Sequence, residues 1–296
     1  MDATNKHDLS RAIPAKVKLD VRQRSKFGCV ICRSAVCQYE HIDPEFADAK
    51  SHEAEHICLL CGSCHDKVTR GRISKQVVRD RYNAIMRADD VNPPFEEMHL
   101  AKDCLAVRFG TANFLGAGCL LRVNGQDLLS ITPPKDGSAF PSLNGVFHDH
   151  SGKETLRITD NTWEGAVDAW DIQTVGKGIV VKSQRGEPAL DLAIESPSQL
   201  AVTALNMYLD NCHIMVNKDG LIVGVRKDHK YVYLGIGGMN CSGASVAVEV
   251  DSRGEWGPWQ GLNIVGGQGV HILGTGIRIG QGAPSMTVHD IKIWGQ

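Results

Sequence analysis

The sequence lacks long hydrophobic runs and a strong net charge of either sign. None of its apolar stretches approaches the roughly 20 residues that a membrane-spanning helix needs, so no membrane partner is expected. The first 18 residues contain no apolar segment of the kind found in secretory signal peptides, and we therefore expect a cytoplasmic protein. A hydrophobic content of 42% with a charged content of 22% excludes a mainly disordered chain.

Glycine is scarce at the beginning of the chain, where cysteine is abundant. Residues 1–90 contain three of the 31 glycines and six of the ten cysteines, whereas all five tryptophans follow residue 160. The net charge of −2 also averages two different parts, because residues 1–90 carry +3 and the remainder carries −5. A Pro-Pro pair in 91–97 cannot continue a helix. We predict a first domain in 1–90, a linker in 91–97 and a second domain in 98–296.

The second domain is predicted to be all-β, because hardly any of its segments shows a helical period. Asn124-Gly125 separates two apolar runs, which is a strong hairpin signal. About a dozen runs of β-branched or alternating residues follow, with turn residues between them. A β-sandwich and a β-solenoid both fit this pattern. The His148-Asp149-His150 triplet is suited to a metal, but its place in a Ser-Gly turn favours a solvated turn.

The first domain is predicted to contain a helix over Lys75–Arg87. Val77, Val78, Tyr82 and Ile85 recur close to a period of 3.6 residues. Ser74 is suited to cap the first turn. The chain before this helix has too few large apolar residues for a good core, so another interaction must stabilise it.

Two Cys-x-x-Cys pairs lie in this cysteine-rich part, with 28 residues between them: Cys29 and Cys32, then Cys61 and Cys64. Two such knuckles can place four thiolates tetrahedrally around one Zn²⁺ ion. We therefore predict a structural zinc site, which would supply the folding free energy that the small core lacks. Four cysteines of the second domain are predicted to be small core residues: Cys104, Cys119, Cys212 and Cys241.

Histidines surround the two cysteine pairs in a distinctive order. Glu40 and His41 follow the first pair. His56 lies five residues before the second pair, and His65 follows that pair directly. This order resembles the HNH endonuclease family over roughly residues 22–82. The resemblance implies a small α+β, zinc-stapled ββα-metal domain, here followed by the larger all-β domain.

The resemblance also implies a catalytic role for each of these residues. His41 would be the general base that takes a proton from the attacking water, and Glu40 and His65 would be ligands of a catalytic divalent cation. His56 stands where the family has an Asn that holds the metal loop or orients the base, and an imidazole can take that role or ligate the metal. Carboxylate and imidazole donors suit Mg²⁺, Mn²⁺ or Ni²⁺. An imidazole with a pKa of about 6.5 can act as a base at neutral pH.

Basic residues flank this group on both sides, which suits contacts with the phosphates of DNA. They are Lys16, Lys18, Arg22, Arg24 and Lys26 before it, and Lys67, Arg70, Arg72, Lys75, Arg79 and Arg81 after it. For any single residue, a solvated basic face is the alternative interpretation.

Three functions remain open. The first is a metal-dependent DNA endonuclease whose β domain senses an activating ligand or partner protein, or builds a homo-oligomer. Effectors of prokaryotic antiviral defence often resemble this layout. The second is a restriction-type nuclease whose β domain reads specific or modified DNA. The third is a non-catalytic, zinc-stapled nucleic-acid-binding module, which His56 in place of Asn would explain.

Overall fold

The computed structural model describes residues 4–100, 106–134, 140–195, 199–227, 229–250, 252, 270–272, 277–281, 285–287 and 290–295. The chain divides into two compact units. Unit 1 contains Met1–Glu96 and Glu164–Thr174, and unit 2 contains Glu97–Trp163 and Val175–Gln296. The return of the chain to unit 1 at Glu164–Thr174 was not predicted from the sequence.

Unit 1 contains three helices and a β-hairpin. In chain order its elements are α1 (Ala15–Arg24), β1 (Cys37–His41), a 3₁₀ turn (Ala54–His56), β2 (Ile57–Cys61), α2 (Gly62–Thr69), α3 (Lys75–Arg87) and β3 (Phe95–Glu97), at whose end the chain passes to unit 2. The predicted helix over Lys75–Arg87 is confirmed, and the Ser74 hydroxyl accepts a hydrogen bond from the Val77 amide at 3.3 Å. Within the described residues, no helix is long and apolar enough to cross a membrane.

The hairpin of unit 1 has an apolar cluster on each face, because side chains alternate along a strand. All five residues of β2 are buried. Cys58 and Leu60 pack in the cluster that α2 and α3 join, and Ile57 and Leu59 pack with Val21 of α1. The short run Ile57–Cys61 therefore supplies both halves of a small core.

The segment predicted as a linker is hydrogen-bonded to the first cysteine knuckle. The Ala35 amide donates to the Phe95 carbonyl at 2.9 Å, and the Phe95 amide donates to the Arg33 carbonyl at 3.2 Å. The buried guanidinium of Arg33 donates to five backbone carbonyls, those of Ser25, Lys26, Gly28, Cys29 and Asn92. Arg33 thereby links the irregular backbone around the first knuckle to the segment that contains Asn92.

Unit 2 consists of strands throughout its described part. They are β4 (Ala106–Phe109), β5 (Ala112–Leu115), β6 (Cys119–Val123), β7 (Gln126–Thr132), β8 (Ser142–His148), β9 (Glu154–Thr159), β10 (Thr162–Gly165), β11 (Asp171–Val175), β12 (Gly178–Gln184), β13 (Glu187–Glu195), β14 (Gln199–Leu209), β15 (Cys212–Asn217), β16 (Gly220–Lys227), β17 (Lys230–Gly237), β18 (Asn240–Ser242), β19 (Val246–Val250), β20 (Val270–Ile272), β21 (Ile277–Gln281), β22 (Ser285–Thr287) and β23 (Asp290–Gly295). Within β10 and β11 the chain passes to unit 1 and back. The all-β prediction is confirmed, although the described strands exceed the predicted dozen.

Together with β3, these strands form two large sheets. One has the order β20-β21-β19-β6-β7-β8-β9-β10-β3, and the other has the order β22-β18-β5-β4-β14-β15-β16-β17-β23, with β11, β12 and β13 joined through β14. Most neighbours are antiparallel, whereas β4, β5 and β6 each pair in parallel with a later strand, namely β14, β18 and β19. The predicted hairpin turn is confirmed between β6 and β7, where Asn124 and Gly125 both have positive φ.

Three of the four cysteines predicted for the core of the β domain are buried, namely Cys119, Cys212 and Cys241. Cys104 lies outside the described residues. Burial raises the pKa of the Cys119 thiol to about 12, so it behaves as a small apolar side chain.

Candidate metal centre and active site

The four cysteines of the predicted zinc site come together in unit 1. The Sγ atoms of Cys29, Cys32, Cys61 and Cys64 all lie within 4.8 Å of one another. Zn–S bonds of about 2.3 Å in a tetrahedron would place the sulfur atoms roughly 3.8 Å apart. The measured separation of the Cys32 and Cys61 sulfurs is 3.5 Å. The cluster therefore fits a metal ion such as zinc.

Local backbone structure presents each pair of sulfurs. Cys61 ends β2 and caps α2, and its Sγ accepts a hydrogen bond from the Cys64 amide at 3.4 Å. The first knuckle is closed by the Cys29 amide, which donates to the Ser34 carbonyl at 2.9 Å. A hydrogen bond from Cys37 lowers the pKa of Cys29 to about 4, whereas burial raises the pKa of Cys32 to about 11. Metal binding would therefore displace a proton from Cys32.

Glu40 and His65, the two predicted ligands of a catalytic cation, also meet. Nε2 of His65 lies 3.0 Å from Oε2 of Glu40. Glu40 pairs with Cys58 across the hairpin, and His65 lies near the start of the helix that follows that hairpin. The other carboxylate oxygen of Glu40 accepts a hydrogen bond from Nζ of Lys75. The same ammonium group donates to the backbone carbonyl of His41 at 2.9 Å.

His41 points to the opposite face of the hairpin from Glu40. It pairs with Ile57 in the antiparallel register, one position beyond Glu40 and Cys58, and consecutive side chains of a strand alternate between faces. The residue is 8% exposed. Burial, together with the nearby His52, lowers the pKa of His41 to about 4. Its imidazole is therefore neutral at neutral pH.

The His41 ring contacts the ring of His52, which is not among the residues predicted for the site. Nε2 of His41 lies 3.2 Å from Nδ1 of His52. Nε2 of His52 lies 2.8 Å from the carbonyl oxygen of Ser10. A single histidine in the irregular connection between β1 and β2 belongs to no motif, so its role emerges only from the way this connection folds.

A cavity of about 270 Å³ opens beside His41. Its lining is formed by His41, Pro44, Asp48, Ala49, Lys50, Ser51, Glu53 and His56. The imidazole of His56 is 44% exposed, and its Nε2 lies 3.5 Å from a carboxylate oxygen of Glu53. Within the fully described range 4–100, Glu40 and His65 are not part of this lining. His56 is thus near the predicted base, whereas the predicted cation ligands lie on the other face.

Several of the basic residues predicted to contact phosphate are paired with carboxylates. The pairs are Arg22–Asp171, Arg24–Glu55, Arg70–Asp66, Lys75–Glu40 and Arg79–Asp43. Arg22 differs from the others because its side chain is only 13% exposed. It is therefore not available to a phosphate group, whereas Lys16, Lys67, Arg72 and Arg81 are exposed.

The His148-Asp149-His150 triplet is not a fully solvated turn, because His148 is 9% exposed at the end of β8. Burial lowers the pKa of its imidazole. A carboxylate oxygen of Asp149 accepts hydrogen bonds from the amides of Ser151 and Lys153, which closes the turn. Among the described residues, the groups that could hold a metal ion do not include this triplet.

Comparison with protein-family models, with curated proteins and with solved structures finds no match for this chain.

Proposed function

We propose that unit 1 is a metal-dependent DNA endonuclease of the HNH type and that the β domain regulates or oligomerises it. The observation that supports this most directly is the 3.0 Å approach of Glu40 and His65, with His41 next to Glu40 in the chain. The antiparallel hairpin followed directly by α2 has the order of a ββα-metal fold. The cysteine cluster at the same hairpin–helix junction also agrees with the resemblance.

Glu40 and His65 would hold the catalytic divalent cation. Two neighbouring ligands of an octahedral ion, each at about 2.1 Å, lie roughly 3.0 Å apart. Oε2 of Glu40 and Nε2 of His65 have this separation. A carboxylate with an imidazole suits Mg²⁺, Mn²⁺ or Ni²⁺. Such a cation would supply charge stabilisation to the phosphate and to the leaving oxygen.

His41 would accept the proton of the attacking water. The ring is neutral at neutral pH and can therefore take a proton, while a pKa of about 4 makes it a weaker base than an ordinary histidine. Lys75 orients the Glu40 carboxylate and also binds the backbone carbonyl of His41, so it holds these two consecutive residues of β1. Its positive charge beside Glu40 also favours the approach of a phosphodiester.

A cleavage assay with supercoiled plasmid tests the proposal. The wild type is incubated with Mg²⁺, Mn²⁺ or Ni²⁺ beside His41→Ala and Glu40→Gln. Loss of a general base is expected to lower the cleavage rate by about 10²- to 10⁴-fold. His99→Ala is the matched control, because the His99 side chain is 84% exposed and takes no part in the proposed site. The zinc content of each variant shows that unit 1 remains folded.

The outcomes separate the three functions. Equal cleavage by the wild type and His41→Ala would contradict the catalytic role of His41. Tight DNA binding without cleavage in the presence of Mg²⁺, Mn²⁺ or Ni²⁺ would favour the non-catalytic zinc module. Cleavage that depends on a DNA sequence or on a base modification would favour the restriction-type nuclease.

The β domain is proposed to bring copies of the nuclease unit together or to bind an activator, as in the layout typical of antiviral defence effectors. One HNH site cuts one strand at a time, so cutting a duplex needs two copies or two events. A homo-oligomer is therefore expected. Light scattering that gives only the 32.2 kDa monomer, with and without DNA, would contradict this expectation.

A further inference from the structure

We propose that His52, held by the carbonyl of Ser10, fixes His41 in the tautomer that leaves Nδ1 of His41 unprotonated. His52 would thus be a positioning residue, and this role rests on the proposed function of His41 as the base. The observation behind it is a hydrogen-bonded chain in unit 1 that consists of His41, His52 and the carbonyl of Ser10. Nε2 of His41 lies 3.2 Å from Nδ1 of His52, and Nε2 of His52 lies 2.8 Å from the carbonyl oxygen of Ser10.

When both imidazoles are neutral, the Ser10 carbonyl determines the direction of each hydrogen bond. A carbonyl oxygen only accepts, so Nε2 of His52 must carry the hydrogen in the 2.8 Å contact. A neutral imidazole has one N–H, which leaves Nδ1 of His52 as an acceptor. The 3.2 Å contact then takes its hydrogen from Nε2 of His41. The lone pair of His41 is consequently on Nδ1, where it can receive the proton of a water molecule.

Aromatic packing holds the two rings in this arrangement. The Phe46 ring meets the His41 ring edge-on, with 5.5 Å between centroids, and stacks on the His52 ring at 6.4 Å. The guanidinium of Arg11 lies 4.5 Å from the centroid of Phe46 on its face. A flip of either imidazole would break its hydrogen bond, and the packing keeps the two ring planes in place.

The Ser10 carbonyl is itself anchored to the loop that contains His52. The side-chain amide of Asn5 donates to the carbonyls of Phe46 and Ala49, at 2.5 and 2.7 Å. The side-chain oxygen of Asn5 accepts from the Leu9 amide at 3.0 Å. Residues 5–10 and the connection between β1 and β2 therefore form one hydrogen-bonded body around His41.

A partner that fixes the tautomer of a catalytic histidine has a general chemical purpose. A histidine base works only when the nitrogen that faces the water is unprotonated, and the partner of the other nitrogen decides which one that is. In serine proteases a buried carboxylate holds the catalytic histidine in the required tautomer. A neutral imidazole that donates to a backbone carbonyl can do the same here without a negative charge.

Variants of His52 test the role through kinetics. His52→Leu keeps apolar bulk but removes the acceptor, whereas His52→Asn keeps an oxygen acceptor close to the position of Nδ1. We expect His52→Leu to lower kcat by about 10- to 100-fold with KM unchanged, and His52→Asn to recover at least part of this loss. His99→Leu is the matched control. An unchanged kcat in zinc-loaded His52→Leu would overturn the positioning role.

Nitrogen-15 NMR of the histidine rings tests the hydrogen bonds without any cleavage assay. With His41 assigned by its loss in His41→Ala, the wild type should show a protonated Nε2 and an unprotonated Nδ1, and His52→Leu should show a mixture of tautomers. A wild-type His41 protonated on Nδ1 would overturn the proposal even if DNA is cut. If the wild type cuts no DNA, the proposed nuclease function is wrong. The NMR spectrum would still show which tautomer His41 adopts.

Discussion

Arg22 and Asp171 form a buried ion pair with two hydrogen bonds, although they lie 149 positions apart in the sequence. Nε and one terminal nitrogen of Arg22 donate to the two carboxylate oxygens of Asp171 at 2.7 and 2.8 Å. The other terminal nitrogen donates to the hydroxyl of Tyr39 at 2.6 Å. The two charged side chains are 13% and 2% exposed. This pair attaches the returning segment Glu164–Thr174 to α1 and β1 within unit 1.

Removing one partner of this pair should strongly destabilise unit 1. Asp171→Ala would leave the Arg22 charge buried without its carboxylate, which costs about 3–5 kcal/mol of unfolding free energy. Urea denaturation followed by circular dichroism measures the change. Asp66→Ala is the matched control, because it breaks an exposed helical pair with Arg70 that is worth at most about 1 kcal/mol. Similar losses for the two variants would contradict the prediction.

Features encoded by neighbouring residues could be predicted from the sequence. The spacing within each Cys-x-x-Cys pair, the period of Lys75–Arg87 and the Asn124-Gly125 turn each define a local structure. The structure confirms the helix and the turn, and it brings together the four cysteines. The meeting of Glu40 and His65 could be expected only through the family resemblance, because it depends on how a helix follows a hairpin.

Features that depend on contacts between distant segments could not be predicted. The pairing of Arg22 with Asp171 requires the chain to leave the β domain and return, and nothing in the composition of 164–174 indicates this. His52 lies in a stretch without periodicity, so only the folded loop shows that it contacts His41. Arg22 was assigned to the basic face because charge alone does not show whether a side chain will be buried.

Removal of the metal should unfold unit 1 selectively. A metal ion held by the four sulfurs would provide free energy that the small core lacks, because domains with a structural zinc site are often folded only with the metal. A strong chelator should therefore abolish a separate low-temperature transition in calorimetry and leave the transition of the β domain in place. Cys61→Ser should have the same effect and lower the zinc content of the purified protein.

The control for this experiment is Cys58→Ala, because Cys58 is buried beside the cluster without belonging to it. Its zinc content should remain at one ion per chain. Loss of zinc in Cys58→Ala, or an unchanged unit 1 after complete removal of the metal, would show that the cluster does not support the fold.

Gly110 and Gly176 permit a matched test of packing in the β domain, because both have a φ of +57°. A Cβ at Gly110 would clash with the Asn217 carbonyl oxygen and lie 2.8 Å from Cα of Gly220, whereas a Cβ at Gly176 would meet nothing within 4 Å. Gly176→Ala should cost about 1–2 kcal/mol, the penalty of a left-handed conformation. Gly110→Ala should cost about 1–3 kcal/mol more, since the backbone of the β15–β16 turn must move. Equal costs in urea denaturation would contradict the predicted clash.

His213 is a buried neutral histidine of the β domain. Its Nε2 lies 2.8 Å from the side-chain oxygen of Asn206, and its Nδ1 lies 3.0 Å from the hydroxyl of Tyr233. The ring also stacks on Tyr208, with centroids 3.9 Å apart. Burial lowers the pKa of His213 to about 4 from an ordinary value of 6.5.

This depressed pKa should make the β domain less stable in acid. Between pH 6.5 and about 4 the unfolded chain binds a proton that the folded state does not, so stability falls as the pH falls through that window. The loss attributable to His213 approaches about 3 kcal/mol. In His213→Gln the slope of unfolding free energy against pH should flatten, whereas the exposed control His150→Gln should keep the wild-type slope. Because His41 and His148 remain in both variants, a difference between the two slopes isolates His213, and identical slopes would show that its burial does not govern the acid sensitivity.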